Sequence, residues 1–240
     1  MAGTQRTFSR QRVEGTKSAK DASSQLGLRL RRAREKKGMT LRAMARAIGV
    51  SPGLVSQIEL GTVTPSVGTL YNMASQLGIV LDDLFVNNSA RNQRSLRKGP
   101  RLGRVGDDVV DLIQRPGQRD VINLAGGVTW ERLTAGADRD LDFLMIVYEP
   151  GAESCPKDAL TRHPAKAYVY EISGRLGIQL GFDQMELARG ESIAFDAQTP
   201  HRFWTIGKEP AVSLWSVLHY KSEDPTPRRP TWPPSSQALK

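Results

Sequence analysis

The sequence of 240 residues contains a single cysteine, Cys155. One thiol cannot form a disulfide within the chain, and it cannot supply a cluster of thiolate metal ligands. Long hydrophobic runs are also missing, since the longest apolar stretch, residues 143–148, is far shorter than the roughly 18 residues that a membrane helix needs. The N-terminus lacks the apolar core of a secretory signal. These absences predict a soluble, cytoplasmic protein with no membrane partner.

Acidic residues are scarce in the first part of the chain. Residues 1–105 carry 19 Lys and Arg against 6 Asp and Glu, a net charge of +13. Residues 106–240 carry 15 against 19, a net charge of −4. Such asymmetry favours a basic module for a polyanion joined to a slightly acidic domain, and double-stranded DNA is the first candidate partner.

Shifts in composition divide the chain into two folded domains and three other segments. The segment 1–24 is basic and nearly free of apolar residues, which predicts a disordered arm that either follows DNA or has no role. A polar, Gly- and Pro-containing linker and lead-in is expected at 87–125, and a Pro-rich tail at 221–240. The folded domains are then 25–86 and 126–220.

The apolar residues of the first domain recur at helical spacing in five short segments. Thr40 is a plausible N-cap of the second helix, with Gly49 as its end. Ser51 followed by Pro52 predicts the start of the third. The domain is therefore predicted to be a five-helix bundle. The five segments, each of the first two including the glycine that ends it, are 26–38, 41–49, 52–60, 66–77 and 81–85.

Residues 40–61, together with Thr64-Pro-Ser66 and Leu77-Gly-Ile79, closely resemble the helix-turn-helix of phage-repressor-like regulators of the xenobiotic-response-element (XRE) type. The resemblance implies that helix 52–60 lies in the DNA major groove. Gln57 could make two hydrogen bonds to an adenine edge or brace a phosphate, and Ser56 can pair with donors or acceptors. The predicted DNA-binding residues are Thr40, Arg42, Ser51, Pro52, Gly53, Ser56 and Gln57, the first three being suited to phosphates.

Beyond residue 126 the apolar period changes to two, which predicts seven or more short strands in a sandwich or barrel. The predicted strands lie at 128–133, 141–148, 167–172, 176–180, 192–195, 202–206 and 211–218. Residues 163–174 and 190–201 look like the first and second motifs of the cupin family. The resemblance implies a cupin double-stranded β-barrel, or jelly roll. The fold class is thus α + β with two domains, a helix-turn-helix bundle and a cupin barrel.

Metal-binding cupins hold their ion with two histidines and a glutamate from the first motif and a histidine from the second. Aligned on Gly174, this chain has His163 and His201 in two of these places but Thr161 and Ala167 in the others. Two imidazoles leave a divalent ion underligated, although Cys155 or Glu171 could complete a set. We expect no metal or other cofactor and no catalytic residues, with His163 and His201 as weak metal candidates.

The interior of the predicted barrel is the candidate effector pocket. His163 and His201 would contact an organic ligand there, or else be lining residues bonded to their neighbours. Alternation along the strand puts Tyr168 and Tyr170 outside, as core or dimer contacts. Arg132 is either a counter-charge for an acidic ligand or an exposed side chain, and Cys155 is a redox sensor or a spectator thiol. The predicted pocket residues are His163, Glu171, His201, Phe203, Arg132 and Trp215.

The combined resemblance implies a homodimeric transcriptional regulator, such as a repressor, that binds a pseudopalindromic operator and senses a small-molecule effector in its cupin domain. Two alternatives remain open at this point. One is a cupin metalloenzyme, oxygenase- or isomerase-like, tethered to DNA, and the other is a constitutive repressor whose cupin domain only dimerises. The sequence does not name the operator, the effector or the sign of regulation.

Overall fold

The computed structural model describes residues 15–85, 113–135, 138 and 140–220. The first fourteen residues of the predicted arm, most of the predicted linker and the predicted tail lie outside the described residues. Within the described parts of the chain, no helix has both the length and the apolar character needed to cross a membrane.

Four α-helices form the N-terminal domain as far as it is described: α1 (Gly15–Lys36), α2 (Leu41–Ile48), α3 (Pro52–Glu59) and α4 (Val67–Leu77). The predicted fifth helix is instead a single 3-10 turn at Leu81–Leu84, because four residues cannot complete the α-helical hydrogen-bonding pattern. Helix α1 begins at Gly15, within the segment 1–24 expected to be an arm.

Side-chain caps set the ends of the short helices, as the sequence predicted. The hydroxyls of Thr40 and Ser51 accept hydrogen bonds from the backbone N–H of Ala43 and Leu54, each at 3.1 Å. Gly49 ends α2 in the left-handed conformation that glycine adopts without strain. The turn between α2 and α3 is therefore short, and the two helices form the expected helix-turn-helix.

The helical core is made of apolar side chains from all four helices. They are fully or almost fully buried and include Leu30, Met44, Val55, Ile58 and Leu70. Helix α1 crosses the end of α3 closely at Gly27, where a Cβ atom would lie only 2.3 Å from the carbonyl oxygen of Ile58. Any larger residue there would separate the two helices.

A buried ion pair joins the same two helices. Arg34 in α1 donates from Nε and Nη2 to the two carboxylate oxygens of Glu59 in α3, at 2.6 and 2.8 Å. Both side chains are at most 9% exposed. The bidentate geometry fixes the orientation of α3, which carries the predicted reading residues.

Nine strands form the C-terminal domain as described. They are β1 (Val121–Leu124), β2 (Val128–Arg132), β3 (Leu141–Tyr148), β4 (Ala165–Ser173), β5 (Arg175–Leu180), β6 (Asp183–Ala188), β7 (Ser192–Asp196), β8 (His201–Thr205) and β9 (Ala211–His219). One antiparallel sheet has the order β1-β2-β3-β9-β4-β7, and the other has the order β6-β5-β8. Strand β6 is mostly exposed, which explains why its apolar pattern did not predict it.

Alternation along β4 separates an inner face from an outer face. Ala167, Val169 and Glu171 are buried, whereas Tyr168 and Tyr170 are exposed. The parity predicted from the sequence is therefore confirmed. Inner side chains of both sheets meet in one apolar core, which includes Trp130, Ile146, Phe203 and Trp215.

The two domains are in direct contact. The N–H of Ala125, before β2, donates to the carbonyl oxygen of Pro65 at 2.9 Å. The N–H of Gly68 in α4 donates to the carbonyl oxygen of Ser154 at 3.3 Å. The guanidinium of Arg132 lies 5.7 Å from the ring centre of Phe85, at the end of the helical domain. Helix α4 thus belongs to the helical core and also touches the β-domain.

The ion pair between Arg34 and Glu59 gives a stability prediction. Glu59→Ala removes the bidentate partner of the buried Arg34 guanidinium and leaves it the longer contact with the exposed Glu35 at 3.8 Å. We expect the free energy of unfolding of the helical domain to fall by about 3–5 kcal/mol. Urea denaturation followed by helical circular dichroism measures the change. Arg31→Ala is the control, because the Arg31–Glu35 pair is exposed and its loss should cost less than about 1 kcal/mol. Equal effects of the two substitutions would contradict this role for the buried pair.

Candidate functional site

The outer side of α3 is free of contacts with the helical core. Val55 and Ile58 are buried and anchor the helix, whereas Gly53 and Gln57 are exposed and Ser56 is half-buried. The backbone carbonyl of Gln57 accepts hydrogen bonds from the N–H and the hydroxyl of Thr62, at 2.9 and 3.0 Å. These bonds fix the end of the helix and leave the Gln57 amide exposed at the surface.

The other predicted DNA-binding residues lie at the N-termini of α2 and α3. Thr40 and Arg42 are exposed at the start of α2, and Ser51 and Pro52 are exposed at the start of α3. The hydroxyls of Thr40 and Ser51 accept the capping bonds, and their hydrogens remain available as donors. Helix N-termini favour anions because their first N–H groups are unpaired and the helix dipole is positive there.

A pocket lies inside the β-domain, and α4 of the helical domain closes part of it. The empty space among its side chains is about 410 Å³, which includes the solvent at its opening. Only a small part of this space is wide enough for a water molecule. Side chains of both sheets and of α4 line it. They are Val67, Tyr71, Trp130, Ile146, Tyr148, Ser154, Thr161, His163, Ala167, Phe195, His201, Phe203, Trp215 and Val217.

The rings of Tyr71, His163 and His201 form a cluster in this pocket. The rings of His163 and His201 lie 5.3 Å apart between centres, edge to face. The ring of His163 stacks on that of Tyr71, with 4.3 Å between the ring centres and an angle of 7° between the planes. The Nδ1 atom of His201 lies 2.8 Å from the carbonyl oxygen of Thr199, which places the proton on Nδ1 when the ring is neutral.

Burial keeps both imidazoles uncharged near neutral pH. Loss of hydration, followed by repulsion from His201, lowers the pKa of His163 to about 3. Burial also lowers the pKa of His201, and its bond to the Thr199 carbonyl opposes this shift only in part. The pocket therefore presents neutral ring nitrogens to its interior rather than positive charges.

Four of the six predicted pocket residues meet in this pocket: His163, His201, Phe203 and Trp215. Arg132 and Glu171 are not among its lining residues. Arg132 is buried and donates from Nη2 to Asp120 at 2.5 Å, so it is neither exposed nor directed to a pocket ligand. Glu171 is fully buried and accepts from the Ser213 hydroxyl at 2.5 Å, and burial raises its pKa to about 7.

Known families match both halves of the structure. A helix-turn-helix family model matches residues 30–84 and a cupin domain model matches residues 144–217. The chain joins a helix-turn-helix domain to a cupin domain. The helix-turn-helix domain contains α1–α4, and the cupin domain contains β1–β9.

Two curated relatives and one solved structure are similar to this chain over different shares of its length. The HTH-type transcriptional regulator PuuR of Escherichia coli K12 is 24% identical over 178 residues, which cover 74% of this chain and 85% of PuuR. DdrOP3, an HTH-type transcriptional regulator of Deinococcus deserti, is 39% identical over 57 residues. These cover 24% of this chain and 44% of DdrOP3. The crystal structure of an HTH_3 family transcriptional regulator from Vibrio cholerae has a TM-score of 0.59 at 22% identity, covering 85% of this chain and 99% of the other.

The cupin domain does not present the ligand set of a metal-binding cupin. Thr161 and Ala167 line the pocket where that set has a histidine and a glutamate, and one face of His163 is covered by Tyr71. Cys155 is buried, and its sulfur atom lies 3.7 Å from the hydroxyl oxygen of Ser154. No three His, Cys, Asp or Glu side chains converge anywhere in the described part of the chain, so Cys155 and Glu171 do not complete a set.

Sequence reasoning missed the contribution of α4 to the pocket. It placed residues 66–77 in a helix of the first domain without singling out Val67 or Tyr71 as pocket residues, yet both side chains line the pocket. A signal was present, because Gly68 and Tyr71 are three residues apart and lie on the same side of an α-helix. A glycine beside an aromatic residue on a helix indicates that another part of the protein approaches closely.

The metal content of the full chain tests the donor set. We expect far less than one equivalent of any divalent metal per chain after purification without chelators, because two imidazoles alone bind such ions weakly. Elemental analysis of the wild type, His163→Ala and His201→Ala measures it. One equivalent in the wild type that is lost in both variants would contradict this expectation.

Proposed function

We propose that this chain is a one-component transcriptional regulator, in which the helix-turn-helix domain binds an operator and the cupin domain dimerises and senses a small molecule. The observation that carries the proposal is the position of α3. Val55 and Ile58 anchor this helix in the core, and its opposite side, with Gly53 and Gln57, is exposed. Support comes from the names of the relatives, which are HTH-type transcriptional regulators. In this proposal the protein acts in the cytoplasm.

In this proposal the exposed residues of α3 divide into two roles. Gln57 reads a base edge, since its amide can donate and accept at the same time, and Ser56 and Gly53 allow close approach to the groove. Thr40, Arg42, Ser51 and Pro52 lie at helix starts and position the domain on phosphates. The basic charge of residues 1–105 adds sequence-independent attraction.

We expect Gln57→Ala to weaken binding to the operator by about 1–3 kcal/mol and to affect random DNA much less. The operator is first obtained by selection from a random duplex library with the purified wild type. Gln76→Ala is the matched control, because Gln76 is equally exposed but lies on α4. Fluorescence anisotropy at several salt concentrations measures both affinities.

The outcome that would contradict base reading is an equal loss on both kinds of DNA. Wild-type affinity should also fall steeply with salt, with a log-log slope of about −0.9 per neutralised phosphate. A flat dependence would contradict the proposed DNA-binding function itself.

We also propose that the two sheets of the cupin domain close as a double-stranded β-barrel and that its outer face forms a homodimer. Exposed apolar side chains cluster on neighbouring strands of this face, since Tyr168 pairs with Ser216 and Tyr170 with Leu214 in the register of β4 and β9. Ile172 and Leu218 extend the patch. A dimer built on this face has two-fold symmetry and therefore requires a pseudopalindromic operator.

Tyr170→Glu should convert the dimer to a monomer, because it places a charge in the apolar patch. Phe182→Glu is the control, since Phe182 is fully exposed in the turn between β5 and β6, away from the patch. Light scattering coupled to size-exclusion chromatography gives the mass of each. An unchanged dimer in Tyr170→Glu would show that another surface pairs the chains.

A further inference from the structure

Helix α4 contacts both domains, each through a different face. Leu70, Met73 and Ala74 are buried in the core of the helix-turn-helix domain. Val67 and Tyr71, one turn apart on the other face, line the pocket of the cupin domain. A displacement of α4 from the pocket would therefore move the whole helix-turn-helix domain with it, because the helix is packed into that domain's core.

The ring of Tyr71 occupies the middle of the aromatic cluster. It stacks on His163 at 4.3 Å and meets Trp130 edge to face at 5.4 Å. Parallel stacking on one ring and edge contact with a second is the arrangement in which a flat ligand is bound between aromatic side chains. The pocket is nearly filled in this state, so a ligand of that kind has no room while Tyr71 is in place.

The backbone of α4 is also close to the cupin domain. A Cβ atom on Gly68 would lie 2.8 Å from the Thr161 hydroxyl oxygen and 3.3 Å from Cβ of Cys155. The N–H of Gly68 donates to the Ser154 carbonyl at 3.3 Å. Because Thr161 and Ser154 also line the pocket, the docking contact and the pocket wall share residues.

The chemistry of the lining selects one class of ligand. It contains no Lys, Arg, Asp or Glu side chain, and burial keeps both histidines neutral, so a charged ligand would lose hydration without a counter-charge. The indole N–H groups of Trp130 and Trp215 and the Thr161 hydroxyl are buried and have no hydrogen-bond partner among the described residues. Buried donors without partners favour a ligand that carries acceptors.

We propose that Tyr71 occupies the binding place of an uncharged, ring-shaped effector with hydrogen-bond acceptors, so that the effector and docked helix α4 exclude one another. The inference rests on the proposed sensing function and gives it a ligand class and a mechanism. Effector binding on His163 displaces the Tyr71 ring, α4 leaves the mouth of the pocket, and the helix-turn-helix domain is released. The orientation of α3 relative to the dimer then changes, and operator affinity changes with it.

Phenol, the ring of tyrosine itself, is the probe for this site. Tyr71→Ala opens the place of the ring, and we expect it to bind phenol at least about tenfold more tightly than the wild type, in which only the undocked fraction can bind. Tyr71→Phe keeps the ring and should bind as weakly as the wild type. Isothermal titration of the three full-length chains measures the affinities.

Benzoate is the matched charged ligand and should bind Tyr71→Ala at least about tenfold more weakly than phenol does, because the lining offers no counter-charge. Equal affinity of wild type and Tyr71→Ala for phenol, or no binding to either, would overturn the proposal. Preference for benzoate would overturn the ligand class.

Hydrogen exchange tests whether ligand and helix exclude one another. Saturating phenol should speed exchange of the wild-type backbone amides at residues 67–71, since the Gly68 N–H loses its partner on Ser154. Unchanged or slower exchange in the phenol-bound wild type would overturn the exclusion.

The phenol and hydrogen-exchange measurements use no DNA. A chain that passes them and yet binds no operator would refute the proposed regulatory function alone, and a chain that binds its operator but fails them would refute this inference alone.

Discussion

The contact between Tyr71 and His163 is the point at which the two domains of this protein depend on one another. Tyr71 belongs to a helix whose other face is part of the helix-turn-helix core, and His163 lies directly before β4 in the cupin domain. An aromatic pair of this kind contributes only about 0.5–1.5 kcal/mol beyond the area that it buries. This contact joins the domains together with the backbone bonds from Ala125 to Pro65 and from Gly68 to Ser154, and in the proposed mechanism a small ligand displaces it.

The position of this contact explains why a cupin domain with an incomplete metal set can still be useful to a regulator. Ala167 and Thr161 leave space and a hydroxyl where metal-binding cupins place a carboxylate and an imidazole, and Tyr71 covers a third position by stacking. The pocket has become an aromatic cavity with neutral polar groups. The two charged residues that the sequence placed there, Arg132 and Glu171, do not line it and bond instead to Asp120 and Ser213.

The sequence predicted those features that are set locally. The caps at Thr40 and Ser51, the left-handed Gly49 and the alternation along β4 all follow from residue type and spacing, and the structure has each of them. The same reasoning predicted a fifth helix at residues 81–85, where Leu81–Leu84 form only one 3-10 turn. It also missed β1 and β6, the first because it is short and the second because its exposed residues lack an apolar period.

Features that depend on how the domains meet could not be predicted in this way. Arg132 alternates with its neighbours as a pocket residue would, yet its guanidinium pairs with Asp120, twelve positions earlier in the chain. Tyr71 reads as an ordinary helical residue until the cupin domain is placed beside it. Helical periodicity reports which face is buried but not which partner buries it.

The measurement that tests this arrangement most directly is a disulfide between the domains. The chain has one cysteine, Cys155, and a Cβ on Gly68 would lie 3.3 Å from its Cβ, close to the 3.5–4.5 Å of disulfides. In a Thr161→Ala background, which removes the hydroxyl oxygen that would lie 2.8 Å from this Cβ, Gly68→Cys should form an intramolecular disulfide with Cys155 under mild oxidation, seen by mass spectrometry, whereas the exposed control Gly53→Cys in the same background should keep both thiols. Free thiols in both variants would contradict the docking of α4 on the cupin domain and the coupling built on it.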